Sequence, residues 1–217
     1  VLVMSRIYGI NIDERDKLRA AGHDLAQVLT NAATCFFQAV FDDGFFHGDQ
    51  HAGNMFIDAR GEVVFVDFGI VGRLDWKGRV FLADLMSHLL EGDYDGLAKR
   101  YANEGYLPPT ASTQAFALAL RSVAEPIVNQ PLERVSFARL LGQLLVMGRT
   151  FDMSLQPDLF LLQKNMLMAE GIARSLSPTI NIWDIARPLV RDWMIEYRNP
   201  VAQFSGHAET ALIAAGR

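Results

Sequence analysis

The chain has 217 residues, of which 50% are hydrophobic and 21% charged, and this composition fits one globular domain with a sizeable core. A formal net charge of -5 argues against a nucleic-acid binder, whose affinity depends on Lys and Arg contacts to phosphates, and the single cysteine excludes a disulfide framework or a cysteine zinc site. No apolar run approaches the roughly 18–20 residues that span a bilayer, and the first residues lack the basic region of a signal peptide.

The first forty residues predict a strand followed by one long helix. Residues 1–7 are β-branched and apolar and precede Tyr8-Gly9, which predicts a short strand and a turn. Because the chain opens inside this expected strand, we expect it to begin within a longer protein. Residues 13–41 carry apolar side chains at three- and four-residue spacing, which predicts one helix that ends before Gly44. Cys35 lies in that helix, and we expect it to be a small core residue.

The rest of the chain predicts a hairpin and then helices, so the expected fold class is mainly α with a small β-hairpin. Residues 55–57 and 63–66 have the character of two short strands joined by a turn at 58–61. Asp75 is a suitable N-cap for a helix through residue 90. Glu170 and Arg174 lie four apart, which predicts a surface ion pair. Further helices fit residues 94–104, 113–125, 136–149, 157–176 and 182–197.

Polar residues on both sides of the hairpin are the candidates for chemistry. The loop at residues 47–54 precedes the first strand, and Asp67-Phe68-Gly69 follows the second. Because a short hairpin brings these two points to the same end, we expect Asp49, Asn54 and Asp67 to converge. Such oxygen ligands suit Mg²⁺, which keeps several waters and shares its coordination shell with phosphates.

The spacing of these residues matches a template for phosphoryl transfer, in which H-x-D-x-x-x-x-N is followed by D-F-G. In that template Asp49 accepts the proton of the substrate hydroxyl, while Asn54 and Asp67 hold the metal. We expect His47 to be architectural, with its imidazole hydrogen-bonded to loop backbone. For His51 two roles stay open, contact with phosphate or metal and stabilisation of the loop. Two histidines four apart, without a third soft ligand, make a weak zinc site.

The stretches HGDQHAGNMFID and VVFVDFGIVGRLD resemble the UbiB family of atypical kinases, also called the AarF or ADCK family. FDMSLQPDLFLLQKNMLMAEGIARSLSP is similar to a later segment of bacterial members, and VLVMSRIYGI is similar to the hinge strand between the two kinase lobes. The resemblance implies a protein-kinase-like C-lobe over residues 1–198, with the hinge strand at 1–10 and the catalytic loop, hairpin and D-F-G at 45–69. Residues 199–217 would be a tail or a truncated C-terminal extension.

The resemblance also implies an activity, with ATP and Mg²⁺ as cofactors. Asp49 takes the position of the catalytic Asp, and Asn54 and Asp67 take those of the metal-binding residues. The residues expected to face the nucleotide are His51, Gly53, Phe68 and Gly69. The implied function is kinase or ATPase chemistry in support of ubiquinone biosynthesis. Only residues 70–74 separate D-F-G from the next helix cap, too few for a peptide-docking segment, so the expected acceptor is a non-protein molecule or water.

The implied partners are quinone-biosynthesis proteins, prenylated lipid precursors and a membrane surface, at the cytoplasmic side of the bacterial inner membrane. Two positions depart from the family pattern. Ala52 stands where Pro is usual, and Ser5-Arg6 stands where an acidic and an aromatic residue are commoner, which weakens the expected adenine contacts. The Lys-x-Gly-Gln motif of the family's N-terminal lobe does not occur in these residues. We therefore expect the chain to be the C-lobe only and, by itself, inactive.

Two alternatives remain open at this point. Small-molecule kinases of the aminoglycoside or choline type also use an H-G-D-x-H-x-x-N loop, but usually place an acidic residue soon after the metal-binding Asp, where this chain has Phe68-Gly69-Ile70. The other alternative is a non-catalytic, nucleotide-sensing partner of a quinone-synthesis complex.

Overall fold

The computed structural model describes residues 3–128, 136–177, 180 and 182–197. Within them the protein is mainly helical with small antiparallel sheets, which confirms the expected balance of helix and strand. The strands are β1 (Ile10–Asn11), β2 (Phe45–His47), β3 (Met55–Ile57), β4 (Val63–Phe65) and β5 (Val71–Arg73). The helices are α1 (Arg15–Ala20), α2 (Leu25–Gln38), α3 (Trp76–Glu91), α4 (Tyr94–Asn103), α5 (Thr113–Val128), α6 (Phe137–Thr150), α7 (Asp158–Leu176) and α8 (Ile182–Tyr197).

The predicted hairpin is confirmed as β3 and β4, which pair antiparallel within a three-stranded sheet of order β1-β3-β4. Its turn contains Gly61 with φ of 83°, a left-handed conformation that glycine adopts without strain. The carboxylate of Asp58 accepts hydrogen bonds from the backbone N–H groups of Arg60 and Glu62 at 2.8 and 2.9 Å. The turn is therefore closed by local side-chain bonds, which is why the local sequence identified it.

The strand expected at residues 1–7 is wrong for the described residues, while the hinge role expected of residues 1–10 stays a prediction. Residues 3–9 are irregular, and β1 begins only at Ile10, where it pairs with β3. Val3 and Tyr8 are 87% and 76% exposed. β-Branched composition favours a strand only where a neighbour accepts its hydrogen bonds and covers its side chains, and residues 3–6 are exposed.

The single helix expected over residues 13–41 is also wrong, because the chain turns between α1 and α2. Gly22 has φ of 87°, and Asp24 then caps α2 by accepting a hydrogen bond from the N–H of Ala26 at 2.9 Å. After α2 the chain forms a π-helical turn, Ala39–Asp43, which ends as predicted at Gly44 in a left-handed conformation. Cys35 is exposed rather than in the core, since it lies outside the buried stripe of α2.

The later helices follow the sequence closely. Asp75 caps α3 by accepting a hydrogen bond from Gly78 N at 2.9 Å, and Gly92 ends that helix with φ of 70°. The surface role expected for Glu170 is wrong. Its carboxylate is buried, accepts hydrogen bonds from Ser136 Oγ at 2.5 Å and Ala138 N at 3.1 Å, and so joins α7 to the start of α6. The expected tail at 199–217 lies outside the described residues.

Among the residues that the structure describes, two hydrophobic clusters make up the core, and α2 and α7 take part in both. The larger cluster packs β2 and helices α2 to α8 together. The smaller cluster lies between the three-stranded sheet, α1, the start of α2 and the end of α7. Because α7 spans both clusters, it crosses the region where the two sheets meet. None of the helices in the described parts of the chain has the length and hydropathy needed to cross a bilayer.

Candidate active site

Two chain segments run side by side between the sheets and carry the predicted site. One connects β2 to β3 and contains residues 48–54, and the other connects β4 to β5 and contains residues 66–70. Because β3 pairs with β4 and β2 pairs with β5, the two connections must be neighbours. Backbone hydrogen bonds join them at both ends, from Val66 N to Asn54 O at 3.0 Å and from Gly48 N to Ile70 O at 2.8 Å.

Glycine is required where these connections enter the β2–β5 sheet. A Cβ atom on Gly48 would lie 2.6 Å from Cγ2 of Ile70, and one on Gly72 would lie 2.2 Å from Cζ of Phe46. Both distances are shorter than carbon atoms tolerate. The close approach of the two segments therefore depends on residues without side chains.

His47 joins the two connections through both ring nitrogens. Its Nε2 lies 2.9 Å from the carbonyl oxygen of Val66, and its Nδ1 accepts a hydrogen bond from the N–H of Asp49 at 3.0 Å. Because Nδ1 is the acceptor, the neutral tautomer with its proton on Nε2 satisfies both contacts. The imidazole thus sets the start of the loop against the segment that leads to Asp67.

Asp49 and Asn54 face each other across the loop. The Asn54 side chain is 6% exposed, and its Nδ2 donates to the carbonyl oxygen of Asp49 at 3.0 Å. No described residue donates to Asn54 Oδ1, so this oxygen is available as a ligand. The Asp49 carboxylate is 30% exposed at the surface of the site. The loop therefore presents one buried amide oxygen and one accessible carboxylate.

Asp67 has φ of 60°, a left-handed conformation that is uncommon for any residue other than glycine. Asp tolerates this region better than most residues, but it still stores strain, which typically clusters at functional sites. Its side chain is exposed, and Oδ1 lies 3.4 Å from the N–H of Gly69. Since Val66 bonds both His47 and Asn54, the structure places Asp67 next to the loop.

The other predicted nucleotide-facing residues make local contacts in this structure. His51 Nδ1 accepts from the N–H of Gly53 at 3.0 Å, while its Nε2 lies 3.8 Å from Asp49 Oδ2. The Gly53 N–H is thus already used within the loop. Phe68 is 54% exposed, with its ring centroid 4.8 Å from that of His47. Contact of these residues with a nucleotide stays a prediction.

Lys164 and Asn165, on α7, belong to the site and were missed by the sequence reasoning. Asn165 is fully buried; its Oδ1 accepts from the N–H of Gln50 and its Nδ2 donates to the carbonyl oxygen of His47, both at 3.0 Å. Lys164 donates to Asp49 Oδ1 at 3.0 Å. These residues lie more than a hundred positions after the loop, within an apolar helical pattern. The only sequence signal that could have found them is that two adjacent positions of this apolar helix are both polar.

Lys164 also stabilises the charged form of Asp49. Its hydrogen bond is the main reason why the pKa of Asp49 lies below the ordinary range, with partial burial opposing the shift and the nearby histidines adding to it. The carboxylate would be ionised at neutral pH even without this shift, and the contact with Lys164 further stabilises its charged form.

The residues present fit a magnesium site that depends on substrate oxygens. Among the described residues, no group of three or more His, Cys, Asp and Glu side chains is arranged to hold a metal ion. Asn54 and Asp67 instead offer two oxygen-bearing groups on adjacent segments. Mg²⁺ is typically bound in this way, through one or two protein groups together with phosphates and water.

Comparison with known proteins identifies two regions of the chain. The model of the ABC1 atypical kinase-like domain matches residues 1–101, which hold the loop, the hairpin and D-F-G. The model of the UbiB helical domain matches residues 120–181, which hold α6 and α7.

Curated relatives match over most of the chain. "Probable protein kinase UbiB" of Tolumonas auensis is 38% identical over 215 residues, which is 97% of this chain and 40% of the relative. The protein of the same name from Photobacterium profundum is 38% identical over 206 residues, which is 93% of this chain and 38% of the relative. That from Marinobacter nauticus is 39% identical over 198 residues, which is 89% of this chain and 36% of the relative. The chain thus spans 36% to 40% of the length of these three proteins. Together with the two domain matches, these relatives show that the chain belongs to the UbiB family of atypical kinase-like proteins.

Proposed function

We propose that the protein is a Mg·ATP-dependent atypical kinase or ATPase that supports ubiquinone biosynthesis. The observation that carries this proposal is the pair of neighbouring connections that brings Asp49, Asn54 and Asp67 to one end of the β3–β4 hairpin. Within this proposal, residues 1–198 form the C-lobe of a kinase-like fold, and the phosphates of ATP lie over these three residues. The family membership and the names of the relatives support the assignment to kinases.

Each of the three residues has a defined task in phosphoryl transfer. Asp49 accepts the proton of the acceptor hydroxyl while the acceptor oxygen bonds to the γ-phosphorus, and the bond from that phosphorus to the β,γ-bridging oxygen breaks to release ADP. Asn54 and Asp67 would hold Mg²⁺, which neutralises charge on the phosphates when bound. His47 holds the two connections side by side, so that the carboxylates of Asp49 and Asp67 do not move apart during the reaction.

The segment after D-F-G favours a non-protein acceptor or water. Gly48 N bonds Ile70 O, β5 begins at Val71, and Asp75 already caps α3. A strand and then a helix therefore begin within a few residues of the proposed metal-binding Asp67. This leaves no long segment on which a peptide substrate would dock. The relatives carry "protein kinase" in their names, so phosphorylation of a peptide library by the purified protein would contradict this part of the proposal.

The wider setting follows from the family resemblance and is part of the same proposal. It comprises prenylated lipid precursors, other quinone-biosynthesis proteins, and the cytoplasmic surface of the bacterial inner membrane. These remain proposals for the whole protein, since the chain spans less than half of the relatives' length.

Substitutions in the full-length protein test the catalytic proposal. We expect Asp49→Asn to lower turnover of Mg·ATP by about 10²–10⁴ while nucleotide binding persists, because only the proton acceptor is lost. Asp67→Asn should abolish Mg-dependent nucleotide binding. Asp95→Asn is the matched control, since Asp95 is exposed on α4. If a bacterial strain whose only copy of the protein carries Asp49→Asn makes normal amounts of ubiquinone, the protein senses nucleotide without catalysis and the proposal is wrong.

A further inference from the structure

We infer that Lys164 is a catalytic residue, supplied to the kinase-like site by the helical domain, that holds the transferred phosphate of ATP beside Asp49. This inference rests on the proposed function and extends it to a residue in α7. It is carried by three features of the structure: the contact between the Lys164 ammonium and Asp49, the anchoring of α7 by Asn165, and the accessibility of both charged groups.

The contact with Asp49 places a positive charge at the reacting end of the site. Lys164 Nζ lies 3.0 Å from Asp49 Oδ1, while the other carboxylate oxygen is turned toward His51 at 3.8 Å. When an acceptor hydroxyl bonds to Asp49, the phosphorus that it attacks must lie next to the same carboxylate. An ammonium group already bonded to Asp49 is then within a small side-chain rotation of the transferred phosphate.

Asn165 makes this placement different from that of an ordinary surface ion pair. Its side chain is fully buried and bonds the loop backbone at His47 and Gln50, on both sides of Asp49. A shift of α7 along its axis would break both bonds and leave buried polar groups without partners. The position of Lys164 relative to Asp49 is therefore set by a rigid neighbour, as a preorganised charge in an active site requires.

The exposure of the pair fits a ligand that enters from solvent. The side chains of Lys164 and Asp49 are 53% and 30% exposed. An isolated pair of this exposure contributes little to stability. Lys carries three rotatable donors on a flexible four-carbon stem, so one ammonium group can bond a carboxylate and a phosphate oxygen together. Lys164 keeps its proton throughout the transfer, and only the proton of the acceptor hydroxyl moves to Asp49.

The same contact joins two regions of the chain that match different domain models. The loop with Asp49 lies in the region that matches the kinase-like domain, and Lys164 and Asn165 lie in the region that matches the helical domain. The site is therefore incomplete without α7. On this account, the helical domain contributes a phosphate-binding charge and fixes the catalytic loop.

Nucleotide binding to the full-length protein tests the inference without relying on turnover. We expect Lys164→Met to lower the affinity for Mg·ATP about tenfold, measured by calorimetry, and to leave the affinity for Mg·ADP unchanged, because only ATP has the γ-phosphate. Lys164→Arg should recover part of the affinity. Lys99→Met, at an exposed position of α4, is the matched control and should change neither affinity.

Turnover gives the second readout. Removal of one preorganised donor should lower kcat by about 10²–10³ in Lys164→Met. An unchanged ratio of ATP to ADP affinity in Lys164→Met would overturn the inference, whatever the effect on kcat. That result leaves the proposed function intact if Asp49→Asn still loses turnover. A full-length protein that binds neither nucleotide would contradict the proposed function itself.

Discussion

Replacement of Asn165 by Ala should release the loop at residues 48–54 from α7. The amide of Asn165 is fully buried and makes two hydrogen bonds, to the N–H of Gln50 and the carbonyl oxygen of His47, and both of those residues are themselves buried. Asn165→Ala leaves a buried donor and a buried acceptor without partners, and each such group costs about 1–3 kcal/mol. With partial relaxation of the loop, we expect the free energy of unfolding to fall by about 2–4 kcal/mol.

Chemical denaturation and amide hydrogen exchange measure the two parts of this effect. The denaturation midpoint should fall. Amide exchange at the N–H of Gln50 should become at least about tenfold faster, because this N–H no longer has the hydrogen bond to Asn165 that protects it. Asn31→Ala is the matched control: Asn31 is half-buried and donates to Gly61 O at 3.2 Å, so its loss should cost less than about 1 kcal/mol. If Asn165→Ala costs no more than Asn31→Ala and exchange at Gln50 is unchanged, α7 does not hold the loop.

Two further predictions concern packing and charge. Gly72→Ala should lower the free energy of unfolding by about 1–3 kcal/mol, because the new Cβ would lie 2.2 Å from Phe46 Cζ. In the control Gly171→Ala the new Cβ would meet no neighbouring atom within 4 Å, so this variant should be neutral or stabilising. Equal denaturation midpoints for the two variants would contradict the packing around Gly72. The lowered pKa of Asp49 should stabilise the fold at pH values above the ordinary Asp pKa of about 3.9, and this contribution should vanish as pH falls through the lower pKa of the folded state. The difference between the stability–pH curves of the wild type and Lys164→Met measures the part due to Lys164, which should be small for so exposed a pair. A wild-type curve that falls less than that of Lys164→Met across this range would contradict the prediction.

The sequence predicted the hairpin, and with it the neighbouring position of the residues before β3 and after β4, because the signals are local. Asp58 and Gly61 close the turn through bonds that span only a few residues. Once the hairpin forms, chain connectivity alone brings the residues before β3 close to those after β4. The caps at Asp75 and Gly92 were predictable for the same reason, since a cap depends on residues within one helical turn.

The errors arose where a distant partner decides the outcome. Residues 3–9 have strand-like composition, but none of them pairs with a strand within the described part of the chain. Glu170 looks like a surface residue by its spacing to Arg174, yet it caps a helix that starts more than thirty positions earlier. Helical periodicity identifies the face of α7 but not the loop that this face touches.

The helical break at Gly22 was missed for a related reason. The apolar positions on both sides of it continue at helical spacing, because α1 and α2 pack against the same small cluster. Periodicity reports which residues are buried and does not report whether the backbone turns between them. The left-handed Gly22 and the cap at Asp24 were the local signals of the turn.

The location of a bound metal–nucleotide complex in the full-length protein would test the proposed Mg·ATP site most directly. Mn²⁺ in place of Mg²⁺, added with ATP, broadens the NMR signals of nuclei close to the metal. We expect the broadening to centre on Asn54 and Asp67, to be lost in Asp67→Asn, and to persist in the control Asp95→Asn. Broadening centred elsewhere, or unaffected by Asp67→Asn, would contradict the claim that these two connections form a Mg·ATP site.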